Sequence, residues 1–565
     1  MKDTNVSIRR EVFAMTSLLD LPGEVLYLCL VPSARLACKA FRDVFDLRNP
    51  ALVFDLGTDD PDEASVARRS VIARTTDLKD LSVTGGEAGV VGDVLGCVTS
   101  PDALRRVKIK RVTKGVADDN FCVVYDGIHL TDVSALAVCT GLTALDLSWT
   151  RVVGASALAA ACTGLTALDL SRTGATEETD LSARLTSLNM SSTEVRSAAR
   201  LANCTGLVVL DLSFTWLKDV TPLAACRDLV DLNLHSCRVS DASPLSGCTA
   251  LVRLILGCNV DLTVVPNVTT LTTLDLTSTG VSDLLPLASC RALARLDLFS
   301  TPVRDVRPIS ACTSLTDLNL GRTEVSDVYS LMACTGLVEL VVSSTGVSDA
   351  SSLAACNRLT KLDMSRSRVS DVSPLTTLVG LVELDASFVG LHDVSPLAGF
   401  TRLVRLNLSV NVDLTDVSPL AGCTRLVELH LTDTKVTDLS PLAGCTGLSE
   451  LYMCLTPLKD ADVSTLAVCF TGLRILDLGA TDVSDVSHLA VCLKLDTLVL
   501  HDTNVSDVSP LSACTALVWL DTRRSKASRA SCLALKHALP RLYLNSSPDD
   551  DEESDADDDL DDDDV

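Results

Sequence analysis

The chain has 565 residues and a formal net charge of −26, with 48 Lys and Arg against 74 Asp and Glu. A phosphate-rich partner needs a basic footprint, so this balance argues against nucleic acid and anionic membrane as the main ligand. Apolar residues make up 47% but aromatics only 3%, so the interior has to be built in thin layers of Leu, Val, Ala and Cys rather than around one large core.

Residues 1–16 are polar and charged, lack the apolar run of a secretory leader, and are expected to be flexible. The apolar run from Val25 to Val31 is too short to cross a bilayer. The expected location is therefore cytoplasmic or nuclear. Residues 17–48 read as two short amphipathic helices that cap the first coil of the repeats behind them. Within them, Leu21-Pro22-x-Glu24-Val25-Leu26 opens the segment, and Arg35-Leu-Ala-Cys38-Lys-Ala-Phe41-Arg42 closes it. These two stretches resemble an F-box whose middle is shortened. The resemblance implies an adaptor of a cullin ubiquitin ligase held through Leu21, Pro22, Glu24, Val25, Leu26, Cys38 and Phe41. The plain helical cap and the F-box both remain open.

Residues 49–141 read as an irregular entry. Leu78-x-x-Leu81-x-Val83, Leu104-x-x-Val107-x-Ile109 and the half-repeat Leu130–Cys139 look like degenerate copies of the repeat that begins at Leu142. Arg105, Arg106, Lys108, Lys110, Arg111 and Lys114 form a basic run. Its alternation with Val107 and Ile109 predicts a strand with one wet face, with a nuclear-import signal or anionic dock as the other reading.

From Leu142 to residue 545 one template recurs, L-x-x-L-x-L-x-x-T-x-V-x-D-V-S-P-L-A-x-C-T-x, seen cleanly in LVELHLTDTKVTDLSPLAGCTG from Leu426. There are 18 starting leucines, and most steps between them are 22 residues. Counting from that leucine, Leu at positions 4 and 6 lies on one face of a short strand, while positions 3, 5, 7 and 8 lie outward or beside it. Ser-Pro pairs such as Ser373/Pro374 and Ser440/Pro441 predict a helix of one turn, with Ser as N-cap and Pro at the first helical position. Asp371, Asp393, Asp438 and Asp507, each three places before proline, are expected to accept turn N–H groups. The fold class expected is an α/β solenoid: a curved leucine-rich-repeat arc with a parallel, concave β-sheet, short convex helices or turns, and a small helical N-terminal cap.

The V-x-D-V-S-P-L segment at Val436–Leu442 resembles the short repeats of internalins and of the leucine-rich regulatory subunit of protein phosphatase 1. Thr at position 9, with Cys near position 20, is similar to repeat proteins of trypanosomatid parasites. The resemblance implies a non-catalytic scaffold that binds a protein on the concave face.

Thirteen of the 22 cysteines occupy one slot, three before the next leucine. Val268, Leu378 and Phe400 fill the same slot, so it reads as a small buried apolar site rather than a disulfide or metal ladder. No C-x-x-C pair occurs. Position 5 carries Asp in nine repeats: Asp146, Asp169, Asp211, Asp275, Asp297, Asp363, Asp385, Asp477 and Asp521. This column is read either as an acidic stripe for a basic ligand or as a structural preference with lateral bonds to Ser or Thr. Position 3 varies through Asp231, Arg253, Arg295, Asp317, Glu339, Lys361, Glu383, Arg405, Glu428 and Glu450, as a tailored surface would. Trp149, Phe214, Phe299 and Phe388 are candidate anchors. His235, His430 and His501 fall on this face in scattered repeats. No phosphate loop, nucleophile elbow or histidine motif appears, so neither an enzyme nor a cofactor is expected.

The last 17 residues hold 13 acids, and 546–565 is expected to be disordered. A monomeric scaffold with a protein partner of basic character is the functional expectation. Its sharper form is an F-box-type substrate receptor. A phosphatase-regulator-like adaptor without ligase role, or an internalin-like surface adhesin, is the alternative.

Overall fold

Eighteen starting leucines, alternating strand faces and one turn per repeat dictate a coil that returns one strand spacing further on. The structure, a computed structural model, describes residues 139–152, 162–177 and 181–546, the positions Leu136 and Thr179, and the strands Tyr27–Cys29, Ala51–Asp55, Asp80–Thr84 and Arg106–Lys110. It forms two compact units, Met1–Val281 and Ser282–Val565.

In the first unit, each of the eleven described strands from Tyr27–Cys29 to Thr273–Asp275 pairs in parallel with the next in the chain. Of the basic run, Arg106, Lys108 and Lys110 lie on such a strand, Arg106–Lys110, with Val107 buried, while Arg105, Arg111 and Lys114 lie outside the described residues. Of the segment read as a helical cap or F-box, Tyr27–Cys29 is a strand paired with Ala51–Asp55, where helix was expected. The strand sets Tyr27, an aromatic residue suited to a pleated surface, in register with Val53. Leu21, Pro22, Glu24, Val25, Leu26, Cys38 and Phe41 lie outside the described residues, as does the acidic stretch after residue 546.

The second unit repeats the plan. Twelve strands from Arg295–Asp297 to Tyr543–Asn545 pair in parallel in chain order. The coil from Leu426 shows why the sequence folds this way. Strand Glu428–His430 buries Leu429, and Leu426, Leu431, Val436, Leu439, Leu442 and Cys445 also point inward, each no more than 3% exposed. A single coil has no opposite wall for these side chains, so its neighbours supply it.

The return half of each coil is a five-residue 3-10 turn rather than an α-helix, as at Ser440–Gly444. Leu442 N–H donates to Leu439 C=O at 2.9 Å and Cys445 N–H to Leu442 C=O at 2.7 Å. The expected serine cap is absent. Ser440 is itself the first residue of the turn, and its N–H donates to Asp438 Oδ1 at 2.8 Å. Asp371, Asp393 and Asp507 accept the corresponding bond from Ser373, Ser395 and Ser509. The orphan group at this entry is an N–H, so a carboxylate two residues upstream meets the need that a serine hydroxyl would otherwise meet. Two repeats depart toward true helices, Asp460–Cys469 and Arg529–Ala538. The first lies in the 25-residue repeat that starts at Leu448.

Leaving the strand requires a left-handed residue, and position 8 supplies it in all 18 repeats, from Trp149 at φ 63° to Arg524 at φ 54°. None of these is glycine. The Thr hydroxyl at position 9 closes the turn inside its own coil: Thr150 Oγ1 donates to Leu147 O and Thr434 Oγ1 to Leu431 O, both at 2.7 Å. Asn at position 9 reaches further. Asn411 Nδ2 donates to Leu408 O of its own coil and to Ala386 O of the coil before, while Oδ1 accepts from Leu391 N. Val410 is the one β-branched residue held in this left-handed conformation, which is the least tolerant case. Val410→Asn is expected to raise stability by about 1 kcal/mol, read as a higher urea midpoint with an unchanged slope.

The thirteen column cysteines are buried free thiols. Most of their Sγ atoms donate to carbonyls of the preceding coil, as Cys248 does to Leu223 O at 3.2 Å and Cys514 to Leu489 O at 3.3 Å, whereas Cys290 donates to Pro286 O of its own turn. Val268, Leu378 and Phe400 are equally buried in that slot. Burial pushes the thiols of Cys226, Cys248, Cys356, Cys423, Cys492 and Cys514 up to about 11, and that of Cys312 to about 12, from an ordinary 9.0. Above pH 9 the unfolded chain gives up these protons while the folded chain keeps them, so stability is full below about pH 9 and falls as pH rises toward 11. Denaturation midpoints measured across this interval are expected to drop steeply. The drop should be shallower when Cys423 and Cys492 are both replaced by Val, the residue already present at position 268.

Candidate functional site

Position 3 and position 5 side chains share the outer face of each strand, flanking the inward leucine. In the first unit this face carries Asp146, Asp169, Asp211, Asp231, Arg253 and Asp275, with Trp149 and Phe214 at the strand ends. In the second it carries Arg295, Asp297, Asp317, Glu339, Asp363, Glu383, Asp385 and Arg405, with Phe388 at a strand end.

The position 5 column has a local cause. Each of its nine aspartates accepts the N–H two residues on through Oδ1, for example Ser148 to Asp146 at 3.0 Å and Ser387 to Asp385 at 2.9 Å. Asn189, Asn233, Asn319 and Asn407 do the same. The expected bonds to neighbouring Ser occur within a coil, where the hydroxyls of Ser213, Ser365 and Ser387 donate to Asp211, Asp363 and Asp385, and asparagine supplies lateral bonds between coils. Asn189, Asn233, Asn319 and Asn407 each donate Nδ2 to Oδ2 of the aspartate one coil earlier, Asp169, Asp211, Asp297 and Asp385, at 2.9–3.4 Å. An amide thus interrupts a column of like charges and ties one coil to the next.

Asn407→Asp removes this donor and sets a carboxylate beside Asp385 and, one coil further, Asp363. A loss of about 1–2 kcal/mol is expected, measured as a lowered urea midpoint. Asn407→Ala, which removes the bond without adding charge, should lose less.

Position 3 carries charge in register. In the first unit Arg253 Nη1 reaches both carboxylate oxygens of Asp231, at 3.1 and 3.0 Å. In the second, Arg295 pairs with Asp317 at 3.4 Å. A longer row lies beyond them. Lys361 Nζ lies 3.3 Å from Glu339 and 3.8 Å from Glu383, and Arg405 also bonds Glu383. Hydrogen bonding from Arg405 lowers the Glu383 carboxyl below its usual range. The next two coils carry Glu428 and Glu450. His430 Nε2 lies 2.6 Å from Glu428 Oε1, and its ring stacks on Tyr452 with centroids 4.1 Å apart. Tyr452 O–H donates to Glu450 at 3.3 Å, and burial first, then the surrounding carboxylates, push its phenol up to about 12.

A groove of about 340 Å³ runs over this row, from the strand Glu339–Val341 to the strand Glu428–His430. Five carboxylates (Glu339, Asp363, Glu383, Asp385 and Glu428) face two cations, Lys361 and Arg405. The structure thus brings Glu339, Asp363, Glu383, Asp385 and Arg405 into one groove, and leaves the site residues of the first unit on that unit's own face. Sequence reading placed Lys361 and Glu428 at position 3 and His430 on the same face, but did not join them with Tyr452 into one cluster. Their signal was present only in register, since successive position 3 residues from Glu339 to Glu450 lie 22 or 23 residues apart.

The expected aromatic anchors already carry partners. The guanidinium of Arg172 lies 4.1 Å from the Trp149 ring, that of Arg366 3.7 Å from Phe388, and that of Arg322 5.4 Å from Phe299. Phe214 packs edge-on against His235 at 5.3 Å and remains 56% exposed, which leaves it the most open of the set.

Residues 401–444 match the family model described as leucine-rich repeats in two copies. No curated protein matches the chain. Among solved structures, the plant peptide hormone receptor RGFR1 in complex with RGF2 is 15% identical over 94% of this chain and 97% of its own, with a TM-score of 0.55. The PEPR1–AtPEP1 structure is 17% identical over 88% of this chain and 75% of its own, also at 0.55. An internalin from Listeria monocytogenes is 24% identical over 54% of this chain and 84% of its own, at 0.47. With the coil geometry above, the class is defined: this is a leucine-rich-repeat solenoid, a fold suited to protein–protein interaction. Among the described residues no helix is long and apolar enough to cross a membrane.

Proposed function

We propose that the protein is a non-catalytic scaffold whose strand face in the second unit holds an extended protein segment of basic character. The groove over Glu339–His430 carries this reading. Its carboxylates outnumber its cations, and the cations are already shared among them, so a basic side chain entering the groove meets unspent negative charge. A cytoplasmic location belongs to the same reading, since the free thiol column suits a reducing compartment. Two solved structures of the same fold, the RGFR1–RGF2 and PEPR1–AtPEP1 complexes, set a precedent for a complexed partner on such a scaffold.

The F-box-like motif at Leu21–Phe41 adds a sharper version, in which the bound protein is presented to a cullin ligase. It rests on the sequence pattern alone. One affinity experiment from native lysate tests both levels. Full-length protein is compared with Glu383→Lys/Glu428→Lys, with Lys435→Glu outside the groove, and with Leu21→Ala/Pro22→Ala/Leu26→Ala. The scaffold reading expects a protein retained by the parent and by Lys435→Glu but lost from the groove variant. Identical retention by the groove variant overturns it. Cullin and adaptor that co-purify with the parent and are lost from the Leu21 triple variant support the ligase version; their absence from every sample ends it.

A further inference from the structure

Three side chains from three successive coils of the second unit converge on the strand face beyond the groove. Cys454 stands two residues after the strand Glu450–Tyr452, Asp477 ends the strand Ile475–Asp477, and His501 stands two residues after the strand Thr497–Val499. The pairing Tyr452↔Asp477↔Val499 sets their register. One thiol, one carboxylate and one imidazole ligand atom lie within 4.8 Å of one another, and all three residues are half-buried.

Two further observations separate this cluster from a chance meeting of polar groups. First, His501 Nδ1 lies 3.1 Å from Asp502 Oδ2. A carboxylate only accepts, so Nδ1 carries the proton there and Nε2 is left with its lone pair for a ligand. Second, the coil between Cys454 and His501 carries Gly479 at the same position. A Cβ on Gly479 would lie 2.5 Å from His501 Nε2. The imidazole therefore lies across the middle coil, toward Asp477 and Cys454, in space that only glycine leaves open. Cys454 also stands apart from the buried thiol column, on the strand face.

We propose that Cys454, Asp477 and His501 form a zinc site, with sulfur, oxygen and nitrogen as three ligands and water completing the tetrahedron. Bond lengths of about 2.3 Å to sulfur and about 2.0–2.1 Å to nitrogen and oxygen put the ligand atoms of such a site roughly 3.3–3.6 Å apart. Small side-chain rotations close the present spacing to that value. The mixed donor set suits a borderline divalent ion, whereas Mg²⁺ and Ca²⁺ take oxygen alone. As the sulfur–zinc bond forms, the thiol proton leaves to solvent. Asp502 orients the histidine and also pairs with Arg524 at 3.5 Å, which holds that carboxylate in place.

Cobalt(II) titration of the reduced full-length protein tests this directly, because cobalt reports its ligands optically. One equivalent is expected to produce both a thiolate-to-cobalt charge-transfer band and the visible bands of a tetrahedral site, and zinc is expected to bleach them stoichiometrically. Cys454→Ser should remove the charge-transfer band. His501→Ala and Gly479→Ala, the latter by displacing the ring, should each weaken binding at least tenfold. Far-ultraviolet circular dichroism and a thermal melt check that each variant folds, and Cys258→Ser serves as a thiol control with the band intact. The absence of a thiolate band in the parent, or a band that survives Cys454→Ser, overturns the proposal. Equal cobalt affinity in the parent and in His501→Ala overturns it as well.

Discussion

Every coil has to leave a strand of three residues and return one strand spacing further along. A single residue in left-handed conformation makes that departure possible, at position 8 in all 18 repeats. The geometry is imposed from outside. The N–H of the left-handed residue donates to the carbonyl at position 7 of the next coil, as Asp433 does to Cys454 and Trp149 to Ser171. In thirteen repeats the Asx bond from position 5 and in twelve the threonine bond from position 9 brace it. Strain of about 1 kcal/mol per non-glycine residue is tolerated because up to three hydrogen bonds and an inward leucine hold the turn.

The same constraint separates what the sequence showed from what it hid. Leucines at 4 and 6 obey the alternation of a strand, so the inward face and the parallel sheet were legible from residues alone. The turn before Leu442 was legible from its Asp and Pro, although its capping group was not: Asp438 does what Ser440 was expected to do. The left-handed corner was illegible. Its usual signature is glycine, and here Trp, Arg, Ser, Phe, Cys, Val, Asp, Leu and Ala all occupy it, because neighbouring coils rather than local preference hold it. Asp at position 5 was ambiguous for the opposite reason. The same carboxylate serves its own turn through one oxygen and faces outward with the other.

A column of aspartates is also a column of like charges, and the chain answers this in two ways. Asparagine one coil after Asp169, Asp211, Asp297 and Asp385 turns repulsion into a cross-coil bond. At position 3, opposite charges alternate from Glu339 through Lys361, Glu383 and Arg405 to Glu428, and Glu450 then breaks the alternation. Exposed pairs of this kind add little stability singly. Their arrangement has more bearing on what approaches the face than on whether the coil folds.

The period of the solenoid decides which residues can act together. Side chains 22 residues apart in sequence are neighbours about 4.8 Å apart across strands, so a constellation on this surface carries no short motif. Cys454, Asp477 and His501 are 23 and 24 residues apart, and a search for closely spaced histidines and cysteines passes over them. Their meeting further depends on the 25-residue repeat from Leu448 placing its extra length in the helix Asp460–Cys469, on the return half of the coil. The strand pairing Tyr452↔Asp477 keeps its register. Had the insertion fallen between Leu451 and Cys454, the pairing would have slipped and turned the outward side chains inward. The geometry of the strand face is therefore preserved by where irregularity is admitted, and irregularity is admitted where the coil has no partner strand to match.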